Sequence, residues 1–137
     1  MAWRVAKSLL HLRGQIDDIA PRRSIASDGT IGDAAHAVRT SDHNPWIMDG
    51  NIGVVTAMDV THDPDNGCDA QHFVDLLFAN RDRRIKYIIW NRRIMSSRVQ
   101  PWVWRPYNGK NPHTKHFHLS VVEDKAGYDS MDPWQLT

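Results

Sequence analysis

The sequence has a single cysteine, Cys68, among its 137 residues. An internal disulfide is therefore excluded, and so are Cys₄ and Cys₂His₂ structural zinc sites. Any metal must be held by imidazoles and carboxylates. No run approaches the roughly 18 apolar residues that a membrane-spanning helix needs. Residues 1–20 lack a continuous apolar stretch ending in a small-residue cleavage site, so the expectation is no secretion signal and synthesis into the cytoplasm. Neither sign of charge is in excess: 17 Lys and Arg against 16 Asp and Glu give a net charge of +1. That balance selects neither nucleic acid nor a membrane as partner. Histidine, by contrast, is plentiful, with eight in the chain and three of them between positions 113 and 118.

A hydrophobic content of 41% with 24% charged residues is that of an ordinary globular chain, and the length suits one domain over residues 1–137, expected to be monomeric. Val5, Leu9, Leu12, Ile16 and Ile19 recur at helical spacing, which predicts an amphipathic helix within residues 1–20, stopped by Pro21. Residues 24–32 read as a loop, and Asp33 is placed to cap a short helix running to Arg39. Ser41-Asp42-His43-Asn44-Pro45 reads as a turn, because proline drives the residue before it out of the helical region. The β-branched run 54–60 predicts a strand, and residues 69–80 a helix burying Phe73, Leu76 and Leu77. Strands follow at 85–90, 92–96, 102–104 and 116–122, with a polar surface tail from 123 to 137. The pattern predicts an α+β fold: a mainly antiparallel central sheet with flanking helices.

The informative stretch is His113-Thr114-Lys115-His116-Phe117-His118-Leu119-Ser120. In a strand, side chains alternate between faces, so His116 and His118 share one face while Phe117 and Leu119 enter the core. Two adjacent imidazoles repel each other when both are charged, and a metal resolves the conflict by binding a neutral nitrogen. Asp59 is the odd residue of its apolar strand, and a buried carboxylate needs a cation or strong donors. With His43 folded over the sheet, His43, Asp59 and His118 give three ligands and leave a position open for water. That is the arrangement of catalytic rather than structural zinc.

Ser41-Asp42-His43, Ala57-Met58-Asp59 and His116-Phe117-His118 together resemble the S-x-H, A-x-D and H-x-H motifs of the M15-type D-Ala-D-Ala peptidases. These are grouped with the lysostaphin-type peptidases, the penicillin-insensitive murein endopeptidases and the hedgehog domain. His113-x-x-His116-x-His118 is similar to the H-x-x-H-x-H run of those endopeptidases. Segments 27–36, 41–45 and 111–113 look like those of small M15-like bacteriophage proteins, so the resemblance spans roughly residues 20–122. It departs in one respect: fifteen residues, 44–58, stand between His43 and Asp59, more than in the shorter members, so a loop at 45–53 must bulge out. His36 is the alternative ligand to His43; the position of the S-x-H motif favours His43.

The resemblance implies a hedgehog/D-Ala-D-Ala peptidase-like fold holding Zn²⁺ through His43, Asp59 and His118. It implies His116 as catalytic partner, either base or oxyanion stabiliser, and hydrolysis of a peptidoglycan stem peptide or cross-link by a phage lysin or virion-associated enzyme. Arg39 and His113 are candidate substrate-binding residues, Arg39 through its bidentate fork. Trp90, Trp102, Trp104 and Tyr107 are candidates for packing or for lining a groove. Arg81, Arg83, Arg84, Lys86, Arg92, Arg93 and Arg98 form a basic belt along the sequence, which gives a metal-dependent nuclease some appeal. A non-catalytic zinc-containing wall-binding module is the other alternative. A non-haem iron site shares the two-histidine, one-carboxylate set but lacks its usual close His-x-Asp spacing.

Overall fold

The computed structural model describes residues 2–31 and 41–137, and within them an α+β architecture of two mostly antiparallel sheets and three helices. Chain order is β1 (Trp3–Val5), α1 (Lys7–Ile19), β2 (Ile47–Asp49), β3 (Ile52–Val55), β4 (Ala57–Thr61), a 3₁₀ turn (Pro64–Asn66) and α2 (Ala70–Asn80). Then follow β5 (Ile85–Trp90), β6 (Arg93–Ser96), β7 (Arg105–Pro106), β8 (His116–Val121) and α3 (Lys125–Tyr128). The short helix expected from Asp33, together with His36 and Arg39, lies outside the described residues. No helix among the described residues is long and apolar enough to cross a membrane.

The larger sheet has the order β4-β8-β5-β6-β7, antiparallel throughout. Phe117, Leu119 and Val121 of β8 face the core, where Leu9, Leu12 and Ile16 of α1 and Phe73, Val74 and Leu77 of α2 are also buried. His116, His118 and Ser120 face the other way, as period-2 alternation requires. The β5–β6 hairpin turns through Asn91 and Arg92, both with positive φ (50° and 64°), the type I′ signature that matches strand twist. Neither residue is glycine, and the amides of both are held from outside: Asn91 N–H donates to the His113 carbonyl and Arg92 N–H to that of Pro112 (2.8 and 2.9 Å).

Four expectations need correction. Val5 belongs to β1, which pairs with β3, so the helix begins at Lys7; Ile19 is exposed at the helix end. The apolar run 54–60 is two strands in different sheets. It breaks at Thr56, whose N–H donates to the Asp42 carbonyl and whose carbonyl accepts from Val121. Residues 102–104 form no strand; the edge strand is β7. The tail is structural rather than a polar wrap. Trp134 and Leu136 are buried, Trp134 Nε1–H donates to the Ser8 carbonyl (3.0 Å), and the Arg84 guanidinium lies 3.7 Å over its ring. Asp129 accepts from Lys7 N–H at the start of α1, where Ala6 offers no capping side chain, and pairs with Arg4 (2.6 Å).

The bulge anticipated between Pro45 and Gly53 is the β2–β3 hairpin. Its two-residue loop, Gly50–Asn51, has Gly50 at φ +61°, a conformation glycine adopts without strain. The hairpin packs as a three-stranded sheet in the order β1-β3-β2, and its base is clamped where Thr56 meets Asp42. Asp42 is buried, and its carboxylate receives Lys86 Nζ at 2.9 Å.

Candidate metal centre

Asp59 of β4 lies directly across from His118 of β8, and Thr61 across from His116. The ladder thereby sets Asp59 Oδ1 3.2 Å from His118 Nδ1 and Asp59 Oδ2 3.7 Å from His116 Nε2. His43 arrives from the Ser41–Pro45 turn, with Nε2 3.4 Å from Asp59 Oδ2. The loop before it is pinned to the outer edge of β4 by Gly29, which exchanges backbone hydrogen bonds with Asp59. Asp28 reinforces the contact, accepting from Thr61 N–H and Oγ1–H and pairing with the buried Arg23. One carboxylate is thus surrounded by the imidazoles of His43, His116 and His118, with His113 edge-on to His116 and His118 (ring centroids 4.9 and 5.7 Å).

Among the described residues, two sets of ligand atoms lie close enough to share an ion: His43, Asp59 and His118, and Asp59, His113 and His116, each set within 4.8 Å. The hydrogen bonds on the far ring nitrogens favour the first. His43 Nδ1–H donates to the Thr30 carbonyl (2.7 Å), which leaves Nε2, the nitrogen toward Asp59, as the one that would give its lone pair to a metal in the neutral ring. His118 Nε2 is held by Ser120 Oγ (2.8 Å), which leaves Nδ1 toward Asp59. Such outer partners fix ring orientation and tautomer in metal sites. Both nitrogens of His116 and Nδ1 of His113 are buried with no hydrogen-bond partner, so neither ring is anchored in that way. His43, Asp59 and His118 could therefore hold one metal ion.

The electrostatics separate these rings. Burial alone would push Asp59 up, but hydrogen bonds and charge from His118 and His43 hold it well below the usual carboxylate range. Burial opposes protonation of His43 too, yet the Asp59 carboxylate and the Thr30 carbonyl keep it above its ordinary value. His113 is pushed down to about 4, first by burial and then by the neighbouring imidazoles. His116 is lowered by burial as well. Those two rings are neutral near pH 7, with lone pairs available.

The cleft over this group has a volume of about 290 Å³; Tyr87, Tyr107, Lys110 and Asn111 line it beside the histidines. A larger cavity of about 400 Å³ lies along α1 between Leu10 and Met131; Lys7, His11 and Asp18 line it, and none of them belongs to a set of ligand atoms close enough to share an ion. Tyr87 stacks flat on His118 (centroids 5.2 Å, 10° between planes), and burial drives its phenol up to about 12.

His43, Asp59, His113, His116 and His118 come together as the sequence suggested, while Arg39 falls outside the described residues. Reading the sequence missed the Thr30 carbonyl, Ser120, Tyr87, Lys110 and the Asp42–Lys86 pair. Ser120 was within reach, since it shares the strand face of His118. A backbone carbonyl and a pair 44 positions apart leave no local trace. Trp90, Trp102 and Trp104 are packing residues outside the cleft, Trp90 through a hydrogen bond to Gln71. Folding pairs off part of the basic belt: Arg84 pairs with Asp82, Lys86 with Asp42, Arg98 with Glu123, and Arg93 lies over Trp104. His62 and Asp63 do turn chemistry, receiving the amides of Ala70 and Ser24. No family model, curated protein or solved structure matches the chain.

Proposed function

We propose that the chain is a zinc peptidase acting on the peptide part of bacterial peptidoglycan, a role suited to a phage lysin or virion-associated enzyme. The observation that carries the reading is the convergence of His43 Nε2, Asp59 and His118 Nδ1 at 3.4 and 3.2 Å, under an open cleft and beside an unpartnered His116. Tetrahedral zinc with ligands at about 2.0–2.2 Å places neighbouring donors roughly 3.3–3.6 Å apart; the two imidazole–carboxylate spacings, one to each Asp59 oxygen, are of that size, and the three ligand atoms lie within 4.8 Å of one another. The donor set is two imidazoles and one carboxylate, the type that leaves a coordination position free. The substrate class comes from the resemblance of the S-x-H, A-x-D and H-x-H motifs to the D-Ala-D-Ala peptidases.

Bound zinc supplies a Lewis acid that polarises the scissile carbonyl and acidifies water to a pKa of about 7. His116, held neutral by burial, accepts the proton of the attacking water and passes it to the leaving amine. His113 borders the same cleft and bears on the substrate backbone. Asp59 stays ionised and committed to its imidazoles, so it is not the base. The internal neutralisation of Arg84, Lys86 and Arg98 counts against the nuclease alternative, which needs free cations for phosphates.

The deciding experiment is mass spectrometry of fragments released from purified peptidoglycan, with and without chelator, alongside metal analysis. About one zinc per chain and chelator-sensitive release of peptide fragments are expected. Full activity in metal-free protein refutes the mechanism. Zinc binding and wall binding with no released amino groups would identify a non-catalytic module instead.

A further inference from the structure

We infer that Tyr107 is a further substrate-contacting residue, whose hydroxyl donates a hydrogen bond to the scissile carbonyl oxygen as that oxygen gains negative charge. The inference rests on the peptidase reading above. Tyr107 follows β7 directly, and its N–H donates to the Arg92 carbonyl at 2.8 Å, so its backbone is part of the sheet edge. The ring lines the cleft and stands edge-on to His113, with centroids 5.7 Å apart. Its hydroxyl has no hydrogen-bond partner among the described residues. The ring of Tyr87, by contrast, is stacked flat on His118.

The wall that carries Tyr107 has room for this hydroxyl and a fixed backbone behind it. A Cβ on Gly109 would overlap the Tyr107 hydroxyl and the end of its ring, so the absence of a side chain there makes room for the phenol. Beyond it, Asn111 Oδ1 accepts from His113 N–H (3.0 Å), and His113 sits at φ +55°. The Pro112 and His113 carbonyls are locked onto the Asn91–Arg92 turn. A neutral donor on a fixed wall suits a developing oxyanion, because it needs no reorganisation as charge appears. In the reaction, the water oxygen bonds to the carbonyl carbon, the C–N bond breaks, and the proton reaches the amine by way of His116. Tyr107 keeps its own proton throughout.

The test uses Tyr107→Phe, Gly109→Ala and the double variant, each loaded with zinc. Three quantities are measured: kcat and KM on isolated stem peptides, calorimetric Kd for phosphinate analogues of D-Ala-D-Ala and L-Ala-D-Glu, and zinc affinity by chelator competition. Loss of one oxyanion donor costs about 10²-fold in kcat. Tyr107→Phe is expected to show that loss, with phosphinate binding weakened at least about tenfold and KM and zinc affinity unchanged. Gly109→Ala, which tilts the phenol away, is expected to give the same phenotype, and the double variant to be no worse than Tyr107→Phe. Phosphinate affinity and kcat within about twofold of wild type in Tyr107→Phe overturn the inference, as do effects that multiply in the double variant. Phosphinate binding that depends on Tyr107 in a protein that cleaves nothing supports the contact and refutes the peptidase reading. Peptide cleavage indifferent to Tyr107→Phe does the reverse. A protein that neither binds the phosphinates nor cleaves overturns both.

Discussion

Ser120→Ala isolates the support beneath the proposed metal centre without touching a proposed ligand. Ser120 is fully buried, and its hydroxyl lies 2.8 Å from His118 Nε2. When His118 ligates through Nδ1, its Nε2 carries the hydrogen and donates to Ser120 Oγ. Alanine leaves that N–H buried without a partner. An orphaned buried polar group costs about 1–3 kcal/mol, and loss of an outer partner typically costs about 10–100-fold in metal affinity. We expect zinc affinity to fall by about 30-fold, or about 2 kcal/mol, in a competition titration with a chromogenic chelator. The metal-free variant should lose about 1–2 kcal/mol in urea unfolding. Ser120→Thr keeps the hydroxyl and should recover most of the affinity if its methyl is accommodated. Zinc affinity unchanged in Ser120→Ala would show that His118 is oriented by something other than this hydroxyl, and the outer-partner reasoning would fail.

Three further predictions follow from other parts of the structure. His116→Ala should lower kcat by about 10²-fold or more while leaving zinc stoichiometry near one, since both ring nitrogens lack partners; lost zinc would make His116 a ligand instead. Asp42→Ala should cost about 3 kcal/mol in urea unfolding, near the low end for a buried pair because Lys86 retains Glu123 at 3.5 Å; pairing it with Lys86→Met should restore part of the loss. In acid, burial opposes ionisation of Asp129, but Arg4 and the Lys7 amide hold its carboxyl down at about 2 against 3.8 in the unfolded chain. That contribution, about 2 kcal/mol, is present above pH 4 and lost as the pH falls through 2. Melting temperatures measured from pH 6 to pH 2 should show it, and Arg4→Ala should flatten that limb of the curve.

The site was legible where its logic is local. His116 and His118 share a face because strands alternate, and Asp59 stands out because a carboxylate in an apolar strand demands an explanation. The coarse α+β class and most element positions followed from the same periodicities. What escaped was set by contacts distant in sequence. Val5 fits the helical spacing of α1, yet pairing with Val55 takes it into β1. Residues 54–60 are apolar on both sides of Thr56, so composition could not reveal a change of sheet. Arg84, Lys86 and Arg98 looked like part of a belt because Asp82, Asp42 and Glu123 were not yet beside them. Trp134 was hidden in a polar tail, its partners Ser8 and Gln15 lying at the other end of the chain.

The excursion between His43 and Asp59 is closed at its root by Thr56 N–H on the Asp42 carbonyl and stitched along β3 to β1. The hairpin tip is therefore decoupled from the chelate. An evolving lineage can lengthen or trim the segment around Gly50 while the donor atoms keep their separation, because the root rather than the contour length fixes the span. Two proposed ligands far apart along the chain would then impose no closure penalty on ion capture, and residues 49–52 become the natural place to graft a recognition element beside the proposed site.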